Sequence, residues 1–428
     1  MDAALIRDSV SAAMPLAERL FHELRERTAD GPGVSRESYA NGEQVAHDLA
    51  ARAARDLELE VACDAFGNLY MTLPGRDREL PAWIAGSHLD SVPLGGNFDG
   101  AAGVVAGLSA IAAFRRAGAT PLRDVTIMGV RAEEASSWYG GSHQGHIGSR
   151  MALGALNPRE LDGAVSSRSG RTLAEQMRLA GFDPGAAQLG RAHLAPERYL
   201  AYLELHIEQG PVLDNKSIPV GIVTGIRGSA RARSARCLGE YNHSGAVPHE
   251  YRSDAVLATV ELCHRLDCEW EAVRNAGGDL VFTVGQLYTD GNAHSITKVP
   301  GEITFSIDLR SEDLAVLERT TALAKQLAAQ IAVRRRVSFE LGDFNLSPPA
   351  RMDVALQREF SQGAQCLGIS TTALPSGAGH DAQDFAHAGF RAAMLFVRNA
   401  HGSHNPHESM RMDDFHLGTQ LLTWMLAR

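Results

Sequence analysis

Gly86-Ser-His-Leu-Asp-Ser-Val-Pro-Leu-Gly-Gly-Asn-Phe-Asp-Gly100 carries His88, Asp90 and Asp99 between two apolar segments. Before it, Pro81-Ala-Trp-Ile-Ala85 reads as a buried strand. After it, Ala101 to Arg116 is apolar with helical spacing. His88 and Asp90 therefore fall where a strand ends, and Asp99 where a helix begins. In open α/β sheets that edge is where ligands bind, and His, Asp and Glu gathered there suit a divalent metal. His-x-Asp alone is equally an ordinary hydrogen-bonded loop pair, so the reading depends on the rest of the chain.

Asp124 to Val130 is a second apolar strand, and it runs straight into Arg131-Ala-Glu-Glu134. Adjacent carboxylates within a strand point to opposite sides. At the point where the strand stops, Glu133 and Glu134 can serve one site in different roles, or form a solvated acidic turn. Tyr202-Leu-Glu-Leu-His-Ile-Glu-Gln-Gly210 is strand-like and stops at Pro211, with Glu204, His206 and Glu208 on one face. Ala392 to Val397 is another buried strand. It lies between the loops Ser376-Gly-Ala-Gly-His-Asp381 and His401-Gly-Ser-His-Asn-Pro-His-Glu408. Helices are expected over Ser9–Thr28, Glu43–Leu59 and Asp353–Leu367, with a strand over Asn68–Leu73. Ala135 to His146 reads as a loop.

The pattern changes near Lys216. From Val220 to about Leu341 it runs strand, strand, helix, strand, strand, helix, strand. The strands are Val220–Val223, Ala230–Leu238, Leu280–Tyr288, Ile303–Arg310 and Val337–Leu341; the helices are Asp254–Arg274 and Asp313–Val333. Two helices on one antiparallel sheet form an α+β unit of ferredoxin-like type. The α/β pattern resumes after Pro348-Pro349, so this unit is inserted. The expected organisation is an α/β domain of residues 1–215 and 345–428 interrupted by an α+β domain of residues 216–344.

The chain of 428 residues suits about two domains. Its 44% hydrophobic and 21% charged content are those of a globular protein. A net charge of −10 disfavours nucleic acid as a partner. No apolar run approaches the roughly 18 residues of a membrane span, and Met1 to Arg7 lacks the pattern of a signal peptide. Cys63, Cys237, Cys263, Cys268 and Cys366 are scattered and odd in number, which fits a reducing cytoplasm. Cys263 and Cys268 read as packing residues.

The remaining candidates are His88, Asp99, Glu133, Glu134, His206 and His404. A dinuclear hydrolytic site needs imidazoles and carboxylates, with one carboxylate bridging ions about 3.5–4 Å apart. It also needs a carboxylate free of metal as general base. This set supplies both, and Asp90 can orient the imidazole of His88. His143, His146, His294, His401 and His407 read as surface or outer positions rather than ligands.

The motifs Gly86-Ser-His-Leu-Asp-Ser-Val-Pro, Phe98-Asp-Gly-Ala, Glu133-Glu134, Leu205-His-Ile-Glu-Gln-Gly-Pro, Ser376-Gly-Ala-Gly-His-Asp-Ala and Ser403-His-Asn-Pro-His-Glu resemble the hydantoinase/carbamoylase amidohydrolase family. That family lies within the superfamily of dinuclear zinc aminopeptidases and deacylases. The resemblance covers nearly the whole chain. It implies a zinc-aminopeptidase-like α/β catalytic domain with an inserted lid and dimerisation domain. It implies that His88 and His206 bind one metal, that Glu134 and His404 bind the other, that Asp99 bridges, and that Glu133 is the general base. His243, in Asn242-His-Ser-Gly-Ala-Val-Pro248, would stabilise the oxyanion. Gln209, Arg310, Gly377, Ala378 and His380 would hold the substrate, with Arg310 clamping a carboxylate.

The resemblance further implies a cytoplasmic homodimer holding two divalent ions per chain, zinc first, with manganese, cobalt or nickel as alternatives. The expected substrate is a small ureido or amide compound bearing a carboxylate. An N-carbamoyl-L-amino acid comes first and allantoate or another ureido acid second; a dipeptide or N-acyl-amino acid is a further alternative. The expected chemistry involves no membrane. Linkers near Asn215 and Phe344 would let the inserted domain hinge. Two departures bear on the substrate. Thr297 stands where family members often carry Asn, and the run from Ala135 to Ile147 is longer than the family's.

Overall fold

The computed structural model describes residues 1–140, 145–187 and 189–428. They form two compact units, Met1–Thr224 with Arg351–Arg428, and Gly225–Ala350.

The larger unit is built on a mixed sheet. Its strands lie in the order Glu60–Cys63, Leu69–Leu73, Val125–Val130, Ala82–His88, Tyr199–Ile207, Ala392–Val397 and Val220–Ile226, with Thr371–Ser376 also pairing the last. The four strands from Val125–Val130 to Ala392–Val397 run parallel. Apart from the first residues of Ala82–His88 and Tyr199–Ile207, each residue of these strands is buried. Such continuous apolar runs are what a parallel sheet covered on both faces requires. Because the strands are parallel, the segments that follow His88, Val130, Ile207 and Val397 all emerge along one edge.

The helix Ala101–Arg116 seats itself on this sheet. Every residue from Ala101 to Phe114 is buried, against the helices Ala3–Arg27 and Met412–Leu426 and the strands beneath. Close approach depends on Gly103. A Cβ there would lie 2.4 Å from the carbonyl oxygen of Leu205 and 2.6 Å from Ser87 Cβ. With the helix this low, its first turn, and Asp99 just before it, are brought down to the ends of the strands carrying His88 and His206.

The smaller unit places the helices Ala255–Asn275 and Leu314–Arg335 on an antiparallel sheet. The strand order is Val281–Thr283, Glu302–Ser311, Gly228–Leu238 and Ser338–Glu340. Its own core gathers Leu262, Leu266, Phe305, Ile307, Leu317 and Ile331.

Three expectations are corrected. The strand beginning at Val220 pairs with Ala392–Val397 in the larger unit's sheet; Val220 to Val223 are all buried, as an interior strand needs. The expected strand Leu280–Tyr288 is two short strands, Val281–Thr283 and Leu287–Thr289, both pairing with Glu302–Ser311. The expected loop from Ala135 begins as a helical turn, Ala135–Trp138, followed by Tyr139–Gly140 paired with Val165–Ser166. Its aromatic residues are the reason. Trp138 and Tyr139 are buried in a separate apolar cluster, and the Trp138 indole donates to the Ser91 carbonyl at 2.6 Å. His143 lies outside the described residues.

Candidate metal centre

His88 is the last residue of its strand, and its ring is buried. Its Nδ1 lies 3.1 Å from the carbonyl oxygen of Asp90. His206 is likewise buried, with Nδ1 2.9 Å from the carbonyl oxygen of Ile207. A carbonyl only accepts, so both rings carry their hydrogen on Nδ1 and, when neutral, expose a lone pair on Nε2. The Gly100 N–H donates to His206 Nε2 at 3.2 Å, which agrees with that assignment.

These two lone pairs converge on a third acceptor. Asp99 Oδ1 lies 3.4 Å from His88 Nε2 and 3.2 Å from His206 Nε2. The two Nε2 atoms are 3.5 Å apart. Asp99 Oδ1 is buried with no hydrogen bond among the described residues. Three acceptors facing one point need a cation between them, either a proton or a metal. The local field favours one. Burial opposes the His88 imidazolium, yet Glu133, Asp90 and Asp99 together hold its pKa well above the ordinary value. His206 is raised in the same way by Asp99. Asp99 is lowered well below the carboxylate range by the two imidazoles despite its burial.

The other oxygen of Asp99 belongs to a second group. Asp99 Oδ2 lies 3.6 Å from His404 Nε2, which is 2.9 Å from Glu134 Oε1. Contact with Glu134, against some burial, lifts His404 to about 9. His88, Asp99 and His206 form one potential ligand group, and Asp99, Glu134 and His404 another. The donor chemistry fits two divalent ions sharing Asp99.

The backbone is bent to make this possible. Ala132, Gln209 and His404 have positive φ angles of 55°, 60° and 59°, a conformation that costs a non-glycine residue of order 1 kcal/mol and gathers at functional sites. The reversal at Ala132 lets Glu133 and Glu134 face the same centre. Gly100, with φ of 66°, is the one residue type that fits its place, because a Cβ would lie 2.4 Å from His88 Cε1 and Nδ1.

Asp90 ties the centre together. Its carbonyl holds His88, while its carboxylate accepts the N–H groups of Glu133 (3.2 Å) and Glu134 (3.0 Å) and the Ser38 hydroxyl (2.6 Å). The sequence alone suggests only the link to His88. Glu408 does the same for Asp99: it accepts the N–H groups of Phe98 at 2.8 Å and Asp99 at 3.3 Å. Glu408 lies within the quoted Ser403 motif, whose spacing gives no hint of that task. The Ser403 hydroxyl lies within hydrogen-bond reach of both the Asp99 and Glu408 carboxylates and has one hydrogen to share between them.

Glu133 Oε2 lies 3.9 Å from His88 Nε2, and its Oε1 lies 3.2 Å from His146 Nε2. Burial pushes the Glu133 carboxyl up to about 8, against the opposing pull of His88 and His146. His146, read from the sequence as a surface or outer position rather than a ligand, lies outside both potential ligand groups and reaches the centre through Glu133. Gln209 donates to Asp99 Oδ2 at 2.7 Å. His380 is buried, stacks edge-on against His206 with ring centroids 4.5 Å apart, and meets the Ser376 hydroxyl at 2.9 Å. Ala378 closes the same turn through its N–H and carbonyl to Ser376, and Gly377 lies between them. His401 and His407 are exposed.

The other candidates lie in the smaller unit. His243 is exposed and accepts the N–H groups of Gly245 and Ala246 on Nδ1, both at 3.2 Å, so its neutral ring carries hydrogen on Nε2. The Thr297 carbonyl accepts the Ser244 N–H at 2.9 Å, next to His243, and its hydroxyl meets Ser295. Arg310 contacts Asp308 through Nε at 3.1 Å and Nη2 at 2.9 Å. His294 is exposed.

Residues 84–428 match the family described as Peptidase family M20/M25/M40. The chain is 33% identical to an N-carbamoyl-L-amino-acid amidohydrolase of Paenarthrobacter aurescens, covering 95% of this chain and 96% of the relative. It is a member of the hydantoinase/carbamoylase amidohydrolases within the M20 peptidases. It is also 32% identical to an allantoate amidohydrolase of Escherichia coli, over 86% of each chain. A solved hydantoinase/carbamoylase family amidase of Burkholderia multivorans superposes with a TM-score of 0.84 at 26% identity, covering 96% of this chain and 97% of that one. None of the described helices of this family member is long and apolar enough to cross a membrane.

Proposed function

We propose that this amidohydrolase cleaves the ureido C–N bond of an N-carbamoyl-L-amino acid, releasing the amino acid, ammonia and carbon dioxide. The observation that carries the reading is Asp99, which offers one oxygen to the His88 and His206 group and the other to the Glu134 and His404 group. In this reading His88, His206 and Asp99 would hold one ion, and Asp99, Glu134 and His404 would hold the other. When bound, the ions polarise the scissile carbonyl and make water nucleophilic at neutral pH. Zinc suits the mixed imidazole and carboxylate donors, and manganese, cobalt or nickel would also fit.

Glu133 takes a proton from the attacking water through Oε2 and passes it to the leaving nitrogen. The hydrogen on His243 Nε2 suits donation to the oxyanion. Arg310 pairs with the substrate carboxylate, and Gln209, Thr297, Gly377, Ala378 and His380 complete the binding groups. The smaller unit acts as lid and dimerisation domain. Leu257 and Val260, 45% and 49% exposed on the helix Ala255–Asn275, supply an apolar contact face. Five unpaired cysteines, three of them exposed, support a reducing cytoplasmic setting. Allantoate is the second reading, favoured by the likeness to the Escherichia coli enzyme.

The test is ammonia release by chelator-stripped enzyme reloaded with zinc or manganese. The panel holds N-carbamoyl-L-amino acids, N-carbamoyl-β-alanine, allantoate, an N-acetyl-amino acid and a dipeptide. Metal-dependent turnover of an N-carbamoyl-L-amino acid is expected; turnover of the dipeptide alone would overturn the substrate assignment. Glu133→Gln should lower kcat by about 10²–10⁴ with metal content intact. Full turnover by that variant would remove Glu133 from the mechanism.

A further inference from the structure

His146 meets a carboxylate with each ring nitrogen. Nε2 lies 3.2 Å from Glu133 Oε1, and Nδ1 lies 2.7 Å from Asp384 Oδ2. Such a ring pairs best as the imidazolium, with a hydrogen for each partner. Its backbone is held as firmly. The N–H groups of His146, Ile147 and Gly148 donate in turn to the carbonyls of Glu133, Ala132 and Arg131 at 2.8, 3.0 and 2.9 Å. The arrangement is built against a local cost, since His146 has a φ of 58°. Glycine would adopt that conformation freely, so the two ion pairs are what the histidine adds. Asp384 lies on the helix Asp381–His387 that follows the Gly377–His380 turn. Gly379 leaves room for the ring: a Cβ there would be 2.9 Å from His146 Cε1 and Nε2.

We infer that His146, clamped by Asp384, is a positioning residue for Glu133. It occupies Oε1 and thereby leaves Oε2 as the oxygen that handles the proton. The inference rests on Glu133 being the general base. The need is physical. The terminal torsion of a glutamate is broad and weakly set by its own rotamer preferences. Glu133 also adjoins the carboxylate of Glu134, whose charge repels it. A cation on the far side fixes the torsion and offsets that repulsion, so the carboxylate is held in one orientation before substrate arrives. The arrangement lies at the end of the long run from Ala135 to Ile147, and so gives part of that run a task.

The test compares His146→Phe, His146→Gln, Asp384→Ala and the His146→Phe/Asp384→Ala double variant in the zinc-loaded full-length enzyme. The substrate is the panel member that the wild type hydrolyses. His146→Phe should lower kcat by about 10–100-fold, as loss of a supporting partner does, with KM within about twofold and two ions per chain retained. His146→Gln, which keeps an N–H donor, should recover part of the loss. Asp384→Ala should lower kcat similarly, and the double variant should be little worse than either single one. Unchanged kcat in His146→Phe and Asp384→Ala would overturn the proposal. So would a rise in KM at constant kcat, which would make His146 a substrate contact, or a loss of activity explained by lost metal. Glu133→Gln, assayed alongside, separates the two levels. Full activity in that variant sinks the assignment of the base itself; an inactive Glu133→Gln with a fully active His146→Phe sinks only the positioning role.

Discussion

Asp90→Asn keeps the shape of a buried side chain and removes one acceptor and one charge. In the native fold Asp90 Oδ1 accepts the Glu133 N–H at 3.2 Å and lies 3.4 Å from His88 Nδ1. Oδ2 accepts the Glu134 N–H at 3.0 Å and the Ser38 hydroxyl at 2.6 Å. An amide must place its NH₂ at one of these positions. At Oδ1 it would face two N–H donors. At Oδ2 it would face one N–H donor and a hydroxyl that can turn and accept. The second arrangement costs less, and it leaves the Glu134 N–H without an acceptor. An orphaned buried donor costs about 1–3 kcal/mol, and neutral bonds replacing charge-assisted ones cost about 1 kcal/mol more. The expected loss of stability is therefore about 2–4 kcal/mol. Because the same carboxylate fixes the backbone of Glu134, zinc affinity should fall by about 10–100-fold. Urea unfolding of the stripped protein, followed by tryptophan fluorescence, measures the first effect. Calorimetric titration with zinc measures the second. A variant within about 0.5 kcal/mol of the wild type and with native zinc affinity would refute the reasoning, because the Glu pair would then be held by something other than Asp90.

Gly100→Ala should lose zinc affinity by about 10–100-fold and about 1–2 kcal/mol of stability. Its φ is unsuited to alanine, and the new Cβ would press on the His88 ring; native affinity by the same titration would show that the ring has room to move. Zinc loading should also release protons. The stripped protein holds His88 and His206 at raised pKa and His404 near 9, so protons occupy the nitrogens proposed as ligands. Apparent affinity should therefore climb with pH from mildly acidic conditions up to about 9, and binding enthalpy should vary with the ionisation heat of the buffer. An affinity flat across that range would mean that these imidazoles are not the ligands.

Much of the candidate centre is legible in the sequence because its potential ligands sit beside strong local signals. His88, Glu133, Glu134 and His206 lie within or just past apolar runs too short for helices. A ligand at the end of a buried parallel strand is marked by the run itself. Asp99 is marked by the helix that starts after it. The same periodicity separates the inserted α+β unit from the α/β frame, because two units with separate cores carry different element orders.

What the sequence could not decide depends on which surfaces meet. Val220–Val223 reads as a strand, but its membership follows from pairing with Ala392–Val397, more than 150 residues away. The two oxygens of Asp99 are equivalent until folding points one at His88 and His206 and the other at Glu134 and His404. His146 has the look of a loop residue because nothing local announces Asp384, which follows it by 238 positions. Residue types and the ends of strands are local properties, set by side-chain burial and backbone preference. The orientation of a carboxylate, and the partner that holds it, are long-range properties that exist only once the sheet has closed around them.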